Sequence, residues 1–150
     1  MGNFSGIAIV PVAQDHLVLV TRWSRGKRIE PEIAAHKLPE YKLVLPSQRQ
    51  GMRVLIDSVL ASSGITLKPE IELDALGSTI ELVRESDWAT ILPVVAVKLA
   101  VDRKLVRSQK IVQPAMPREL VVAYTNHRPP VLAAQLFIKM LKTHLTLLLA

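Results

Sequence analysis

The sequence has no cysteine, and its four histidines are dispersed along the chain. The absence of cysteine excludes disulfides, thiolate metal sites and cysteine nucleophiles. His16, His36, His127 and His144 are far apart in the sequence, whereas a metal site needs clustered ligands. The glycine-rich nucleotide-binding motifs and the nucleophile-elbow motif are also missing. We therefore predict that the chain is not an enzyme and needs neither a metal nor a cofactor.

Aromatic residues make up only 4% of the chain, and its charges are not clustered. The 19 lysines and arginines give a net charge of +6, but they are scattered, and their densest group, residues 22–28, is short. Because nucleic-acid footprints are clustered on one face, we do not expect this chain itself to contact DNA. The longest apolar run, Ala89–Val101, contains Pro93 and Lys98 and is too short to span a bilayer. With no signal-peptide pattern at the N-terminus, we predict a cytoplasmic protein without membrane contact.

Apolar residues form 49% of the chain, and their spacing predicts alternating strands and helices. The first half predicts strands at 7–10 and 17–20 joined by a turn at 14–16, a helix at 32–37 and a strand at 43–45. The near-continuous apolar strands indicate a sheet covered on both faces. An apolar stripe at helical spacing then predicts a helix that buries Met52, Leu55, Ile56, Val59 and Leu60. Gly64 fits the position just past the end of this helix, where left-handed backbone geometry is needed.

The second half continues the alternation and ends in an apolar helix. An edge strand is predicted at 65–73 because Pro69 lies inside the run. The segments that follow are predicted as a helix at 78–85, a strand at 89–92, a helix at 94–99, short strands at 105–106 and 111–112, and a strand at 120–124. The last helix is expected to bury a stripe of Ala133, Leu136, Phe137, Met140 and Leu141, with His144 or Leu145. The alternation predicts the α/β class.

Two points where a strand gives way to a helix, at 46–51 and 74–78, are the candidate binding positions. Small ligands are usually held at the carboxyl ends of strands in open α/β sheets. A helix start offers unpaired N–H groups and a partial positive charge, to which Ser47 and Gln48 add neutral donors and Arg49 or Arg53 a charge. Such a set suits an anion. Ordinary helix capping is the competing interpretation, with Asp74, or Ser78 in a capping box with Glu81, as the cap of the second helix.

The order of these segments resembles the effector-binding domain of LysR-type transcriptional regulators over nearly the whole chain. The matching pieces occur in the family's order: Leu17–Thr21, Leu38–Pro46, Gly51–Ile65, Glu72, Leu82–Val83, Leu92–Pro93, and then Arg118, Leu120, Tyr124, Ala133, Ala134, Phe137 and Leu141. The chain departs from the family where Ser86 and Trp88 replace a Gly-x-Gly pair. The tryptophan cannot reproduce a glycine's close backbone approach.

The resemblance implies a periplasmic-binding-protein-like fold with two α/β lobes. Residues 24–116 would form a complete lobe two, and residues 1–23 with 117–150 a partial lobe one. The family's winged helix-turn-helix, its linker helix and the first part of lobe one would be missing from this chain. DNA would therefore be contacted only through a domain absent here.

The resemblance also implies a function in effector sensing and oligomerisation, with a small anionic metabolite bound between the lobes. Only the lobe-two half of that site would be present. Its residues would be Ser47, Gln48, Arg49, Gly51, Met52, Leu76 and Gly77. Ser47 and Gln48 would hold the anionic group, and Met52 and Leu76 would wall the pocket.

Two other functions remain open: a solute-binding module of transport type, and an interaction fragment that binds no ligand. The absence of a signal peptide argues against the first. An incomplete lobe one is expected to leave Val18, Val20, Val121 and the last helix partly uncovered. An exposed apolar patch drives association, so a homo-oligomer is expected.

Overall fold

The computed structural model describes residues 6–26, 28–128 and 130–149. Lys27, in the basic group noted above, lies outside these residues, as do 1–5, 129 and 150. The strands are β1 (Ile7–Arg22), β2 (Glu32–Ala34), β3 (Val44–Leu45), β4 (Ile71–Glu72), β5 (Thr90–Pro93), β6 (Val106–Val112) and β7 (Pro117–Thr125). The helices are α1 (Gly51–Ala61), α2 (Leu76–Glu85), α3 (Val94–Asp102) and α4 (Leu132–Leu149), with a 3₁₀-helix at Ala35–Glu40.

The long strand β1 organises the sheet. Its neighbours are β5 and β6, both antiparallel to it, with Leu17 opposite Pro93 and Val18 opposite Lys110. Strand β2 adds to β6 in parallel, and β7 also pairs with β1. Strands β3 and β4 form a parallel pair, which a parallel bridge from Leu43 to Ala89 joins to the start of β5. Parallel and antiparallel neighbours together make this a mixed α/β sheet.

Contacts divide the chain into two compact units. One consists of the described residues within Met1–Asp15 and Pro117–Ala150, and the other is His16–Met116. The division on the C-terminal side lies at the position expected for a lobe boundary, and that on the N-terminal side lies earlier, at 15/16 instead of 23/24. The assignment of these units to regulatory lobes stays a prediction.

In the unit His16–Met116, the sheet is covered on both faces, as the near-continuous apolar strands predict. Leu17 and Leu19 of β1 pack in one core cluster and Val18 and Val20 in another, because successive side chains of a strand point to opposite faces. Helix α1 supplies Ile56 and Leu60 to the first cluster, whereas α2 and α3 supply Val83 and Val97 to the second. Each fully buried Val, Leu or Ile side chain contributes about 1.5–3 kcal/mol.

The prediction for α1 and Gly64 is confirmed. The whole predicted stripe is buried or half-buried, and the backbone φ of Gly64 is +70°. The N–H of Ile65 donates to the carbonyl of Leu60, and that of Gly64 to the carbonyl of Ala61. These two bonds form a Schellman motif, which satisfies carbonyls that the end of a helix otherwise leaves unpaired.

Several predicted boundaries are wrong. Residues 7–22 form one continuous strand without a turn at 14–16, because β5, β6 and β7 provide partners for β1 along its length. The helix expected at 32–37 is a short strand, β2, followed by the 3₁₀-helix, since β6 offers β2 an edge for pairing. The edge strand expected at 65–73 is reduced to β4, and the two short strands after 105 are one strand, β6.

For the last helix, the predicted burial of an apolar stripe is wrong, whereas the expected exposure of the helix is confirmed. None of the described residues of α4 is buried, and Leu136, Phe137 and Met140 are more than half exposed. Val121 is also exposed, as expected, but Val18 and Val20 are buried by the second core cluster, so that part of the predicted patch is wrong. By length and composition alone, α4 is the one helix among the described residues that is long and apolar enough to cross a membrane. A single helix of this kind is weak evidence of a membrane span.

Candidate functional site

The two predicted strand-to-helix transitions meet at one edge of the sheet. Strands β3 and β4 are parallel, and the bridge between Leu43 and Ala89 sets β5 parallel to β3. Their carboxyl ends therefore share an edge, where α1 begins at Gly51 and α2 at Leu76. The N-cap residues, Gln50 and Ala75, make no side-chain capping hydrogen bond. The predicted caps of α2, Asp74 and the Ser78–Glu81 capping box, are thus wrong.

Asp74 instead joins the two transitions. The backbone N–H of Ser47 donates to Oδ1 of Asp74 at 2.8 Å, and the Ser47 hydroxyl donates to Oδ2 at 3.0 Å. The carboxylate thus turns away from its own helix, toward the loop after β3. This double hydrogen bond fixes the start of α2 relative to the loop that leads into α1.

The same contacts keep Asp74 ionised. The pKa of Asp74 is lowered from 3.8, chiefly by the hydrogen bond from the Ser47 backbone and then by that from its hydroxyl, with smaller contributions from Gln50 and Arg49. Hydrogen bonds to a charged form favour that form. Both Ser47 donors are therefore engaged by an internal anion, so an anionic ligand would have to displace Asp74 or use other donors.

The low pKa of Asp74 predicts a pH-dependent effect of Asp74→Asn. A carboxyl group whose pKa is lower in the folded state stabilises that state above its unfolded pKa, and this stabilisation is lost as the pH falls through the folded value. Urea unfolding should therefore show Asp74→Asn to be destabilised by a constant amount from pH 7 to pH 5 and by progressively less below about pH 4. Glu119→Gln, at an exposed position of β7, is the control and should show no such trend. A deficit for Asp74→Asn that stays constant into strong acid would contradict the assigned role.

A cavity of about 50 Å³ lies between the two helix starts. It brings together two of the predicted pocket residues, Met52 and Leu76. Thr90, in β5, is fully buried there, and its Oγ1 has no hydrogen-bond partner among the described residues. The remaining lining residues are Pro46, Leu73, Asp74, Thr79 and Leu92.

The unpartnered hydroxyl of Thr90 is a candidate binding feature that the sequence prediction did not include. Burying a hydroxyl without a partner costs about 1–3 kcal/mol, so such groups are rare in folded proteins. A ligand group that formed a hydrogen bond with Thr90 would supply the missing partner. In the sequence, Thr90 is a polar residue beside the apolar Ile91, Leu92 and Pro93, but only the structure shows that its hydroxyl lacks a partner.

The other predicted site residues do not line this cavity. Gln48 and Arg49 are exposed, and Gln48 lines a different depression, of about 270 Å³, beside Arg53. A Cβ atom added to Gly51 or Gly77 would meet nothing within 4 Å, so neither position needs glycine for a close approach in this structure. Ser47 lies next to the cavity through its bonds to Asp74.

Arg53, the alternative source of positive charge, has a structural role. Its side chain is only 4% exposed, and its Nε donates to the Asp57 carboxylate at 2.9 Å. Its Nη1 donates to the Pro46 carbonyl and to Oε1 of Glu72, both at 3.1 Å. Arg53 thus joins α1 to the ends of β3 and β4, and its charge is already paired.

Comparison with known proteins gives the family. Residues 2–146 match the model of the LysR substrate binding domain. Among solved structures, the effector-binding domain of QuiR in complex with shikimate is similar with a TM-score of 0.71 and 20% identity over 95% of this chain. The regulatory domain of Synechocystis CcmR in complex with 2-PG gives 0.76 and 13% over 95%, and CbnR, a LysR family transcriptional regulator, gives 0.74 and 17% over 94%.

These similarities establish the fold, and they confirm the predicted periplasmic-binding-protein-like α/β class. The chain spans 66% of the QuiR chain, 69% of the CcmR chain and 48% of the CbnR chain. The family match covers nearly the whole sequence, in agreement with the order of motifs from Leu17 to Leu141. The chain belongs to the LysR substrate-binding domain family.

Proposed function

We propose that this chain is the effector-sensing part of a LysR-type transcriptional regulator and that its candidate site receives one end of a small metabolite. The observation that carries this proposal is the cavity beneath the starts of α1 and α2, which is lined by Thr90, a residue whose buried hydroxyl has no hydrogen-bond partner among the described residues. Membership in the family supports it, as do the effector complexes that the QuiR and CcmR titles name. The unit His16–Met116 would serve as regulatory lobe two.

The size of the cavity defines what it can hold. About 50 Å³ is far below the roughly 300–1,000 Å³ of complete small-molecule pockets. The cavity therefore accepts only one small group of a ligand, and the rest of the binding surface comes from residues outside it. This agrees with the half-site proposed for Ser47, Gln48, Arg49, Gly51, Met52, Leu76 and Gly77.

The charges refine the proposed ligand. Asp74 faces the cavity as an anion, so the inserted group is neutral and carries a hydroxyl that donates to Asp74 or pairs with Thr90. The anionic group of the metabolite would then lie at the surface, near Gln48 and Arg49. Arg49 is exposed and has no carboxylate partner within 4.0 Å among the described residues. A hydroxy acid has both groups.

The role we propose is binding, without catalysis. Among the described residues, the resolved pKa shifts, of Lys42, Asp74 and Asp87, all favour the charged form and belong to exposed groups. Catalytic acids and bases are instead tuned toward neutral pH by burial or like charge. Effector binding would act by population shift, favouring one arrangement of the regulator and thereby of its attached DNA-binding domains.

A thermal-shift screen with Thr90→Val tests this proposal. Aliphatic and aromatic hydroxy acids, shikimate among them, are added to the chain, since a ligand that binds the folded state raises its melting temperature. Thr90→Val keeps the side-chain shape and removes the hydroxyl. It should raise the unfolding free energy of the free protein by about 1 kcal/mol and weaken a bound hydroxy acid about tenfold. Ser47→Ala with Gln48→Ala should also weaken binding.

Thr125→Val, at an exposed position at the end of β7, is the matched control and should change neither quantity. No thermal shift with any acid, with the fold intact, would favour the ligand-free interaction fragment. A ligand whose affinity is the same for Thr90→Val, the double variant and the unmodified chain would place the site elsewhere.

We also propose that the chain self-associates through α4. Its exposed apolar side chains, which include Leu132, Leu136, Phe137, Met140 and Leu147, lie on a helix without a buried residue. Exposed apolar area of this kind marks interaction surfaces. The homo-oligomer expected from the sequence would therefore form through helix α4.

A further inference from the structure

A second cavity, of about 310 Å³, lies in the unit His16–Met116 near the amino end of β5. There the end of β1 meets the beginning of β6, with Thr21 opposite Arg107. The candidate site described above lies instead at the carboxyl ends of β3 and β4. The residues lining the second cavity are Thr21, Arg22, Ser24, Ile29, Tyr41, Ser86, Asp87, Trp88, Arg107 and Gln109.

Two arginines that line the cavity, Arg22 and Arg107, form no ion pair with an acidic side chain among the described residues. Arg107 is only 9% exposed, and its Nη2 donates to the carbonyl oxygen and the hydroxyl of Ser24, both neutral acceptors. Neither Arg107 nor Arg22 has a carboxylate within 4.0 Å in the described part of the chain. The acid in the lining, Asp87, pairs with Lys42 at 2.7 Å. The net charge of the lining is therefore positive.

A buried guanidinium without a counter-charge is costly, because burial removes water that would otherwise stabilise it. An anion that entered the cavity would offset this cost and form charge-assisted hydrogen bonds with Arg107. Carboxylates and phosphates fit best, since the guanidinium presents parallel N–H groups that match two oxygens at once.

The cavity also has an aromatic wall. Tyr41 and Trp88 are both half-buried in its lining, and Trp88 stands where the family pattern has a glycine. Aromatic faces in a pocket favour a ligand with a flat or apolar body. The volume is near the lower limit of small-molecule pockets, which indicates a metabolite and not a polymer.

We propose that this cavity is a second binding site, for a small organic anion whose carboxylate or phosphate pairs with Arg22 and Arg107 and whose apolar body contacts Tyr41 and Trp88. Such a site would let the protein respond to a second metabolite, independently of the site between the starts of α1 and α2. It does not depend on the proposed effector site, since the two cavities share no lining residue.

Calorimetric titration of the 150-residue chain with benzoate, phenyl phosphate and inorganic phosphate tests this proposal. Benzoate or phenyl phosphate should bind more tightly than inorganic phosphate. In NMR spectra, their binding should shift the indole N–H resonance of Trp88. Arg22→Gln and Arg107→Gln should each weaken binding about ten- to hundredfold, the loss of a charged hydrogen-bond partner. Arg25→Gln, at an exposed position outside the cavity lining, is the control and should stay within about twofold.

Thr90→Val should leave this binding unchanged, which separates the second site from the effector site. If Arg107→Gln does not fold, Arg22→Gln decides, because Arg22 is exposed and its replacement spares the core. The absence of binding by any probe at millimolar concentration would overturn the proposal, as would equal affinities for the unmodified chain and Arg22→Gln. Equal affinities for phenyl phosphate and inorganic phosphate would overturn the assignment of Tyr41 and Trp88.

Discussion

Replacing Arg53 with methionine is expected to lower the melting temperature by about 5–10 °C, the largest effect of any single substitution proposed for this chain. Arg53 makes four hydrogen bonds, to Asp57, Glu72 and the Pro46 carbonyl, while its own side chain is only 4% exposed. Methionine fills similar space but leaves the Pro46 carbonyl and both carboxylates without their donor. Helix α1 would lose its polar connection to β3 and β4.

The size of the effect follows from the mixed exposure of the ion pairs. Fully buried pairs cost about 3–5 kcal/mol when one partner is removed, whereas exposed pairs contribute about 0–1 kcal/mol. Arg53 is buried, but Asp57 and Glu72 are 42% and 46% exposed, so water partly solvates the carboxylates left behind. We therefore expect a loss of about 2–3 kcal/mol in unfolding free energy.

Thermal and urea unfolding measure this loss, with Arg49→Met as the matched control. Arg49 lies four residues earlier and is exposed without a hydrogen bond from its side chain in the described structure, so its replacement should cost less than about 0.5 kcal/mol. Equal stabilities of the two variants would mean that Arg53 contributes no more than a surface charge. A loss in Arg53→Met that Glu72→Gln reproduces in full would assign the effect to that pair alone.

The spacing of neighbouring residues in the sequence was sufficient to predict helix α1 and its end. The stripe from Met52 to Leu60 and the glycine at position 64 predict α1 and its end correctly, because helical spacing and left-handed geometry are properties of neighbouring residues. The predicted turn at 14–16 was wrong because the structure of this segment depends on strand pairing with residues that are distant in the sequence. Polar residues there suggest a break, but partners that are distant in the sequence hold β1 in one piece.

In the candidate site, too, the position could be predicted from the sequence, whereas contacts between distant residues could not. Its position at two strand-to-helix transitions follows from the order of elements, and Met52 and Leu76 do line one cavity. The partner of Ser47 was not predictable, because Asp74 lies 27 residues away and sequence rules favour it as a helix cap. Thr90 was not predicted because threonine is common in strands, and the sequence does not show that its hydroxyl lacks a hydrogen-bond partner.

Self-association through α4 is the second large effect that we expect. In light scattering at micromolar concentration, the unmodified chain should exceed the mass of a monomer, and Phe137→Ser with Met140→Ser should shift it toward one. Phe137 and Met140 are 64% and 71% exposed, on a helix with no buried described residue. Burying a side chain of this size in a partner contributes about 1.5–3 kcal/mol. Each replacement should therefore weaken association and raise the dissociation constant about tenfold or more.

The comparison with Leu99→Ser and Val54→Ser makes the prediction specific. Leu99 and Val54 are 60% and 57% exposed on α3 and α1, so their replacement removes similar apolar area from helices that already pack against a core. If exposed apolar area alone drove association, both pairs of substitutions would act equally; we expect only the α4 pair to act. A monomeric unmodified chain would contradict self-association, and flotation of that monomer with lipid vesicles would instead favour a membrane as the partner of α4. The two outcomes are separable because Lys139 and Lys142 should make vesicle binding sensitive to salt, whereas apolar pairing of two helices is not.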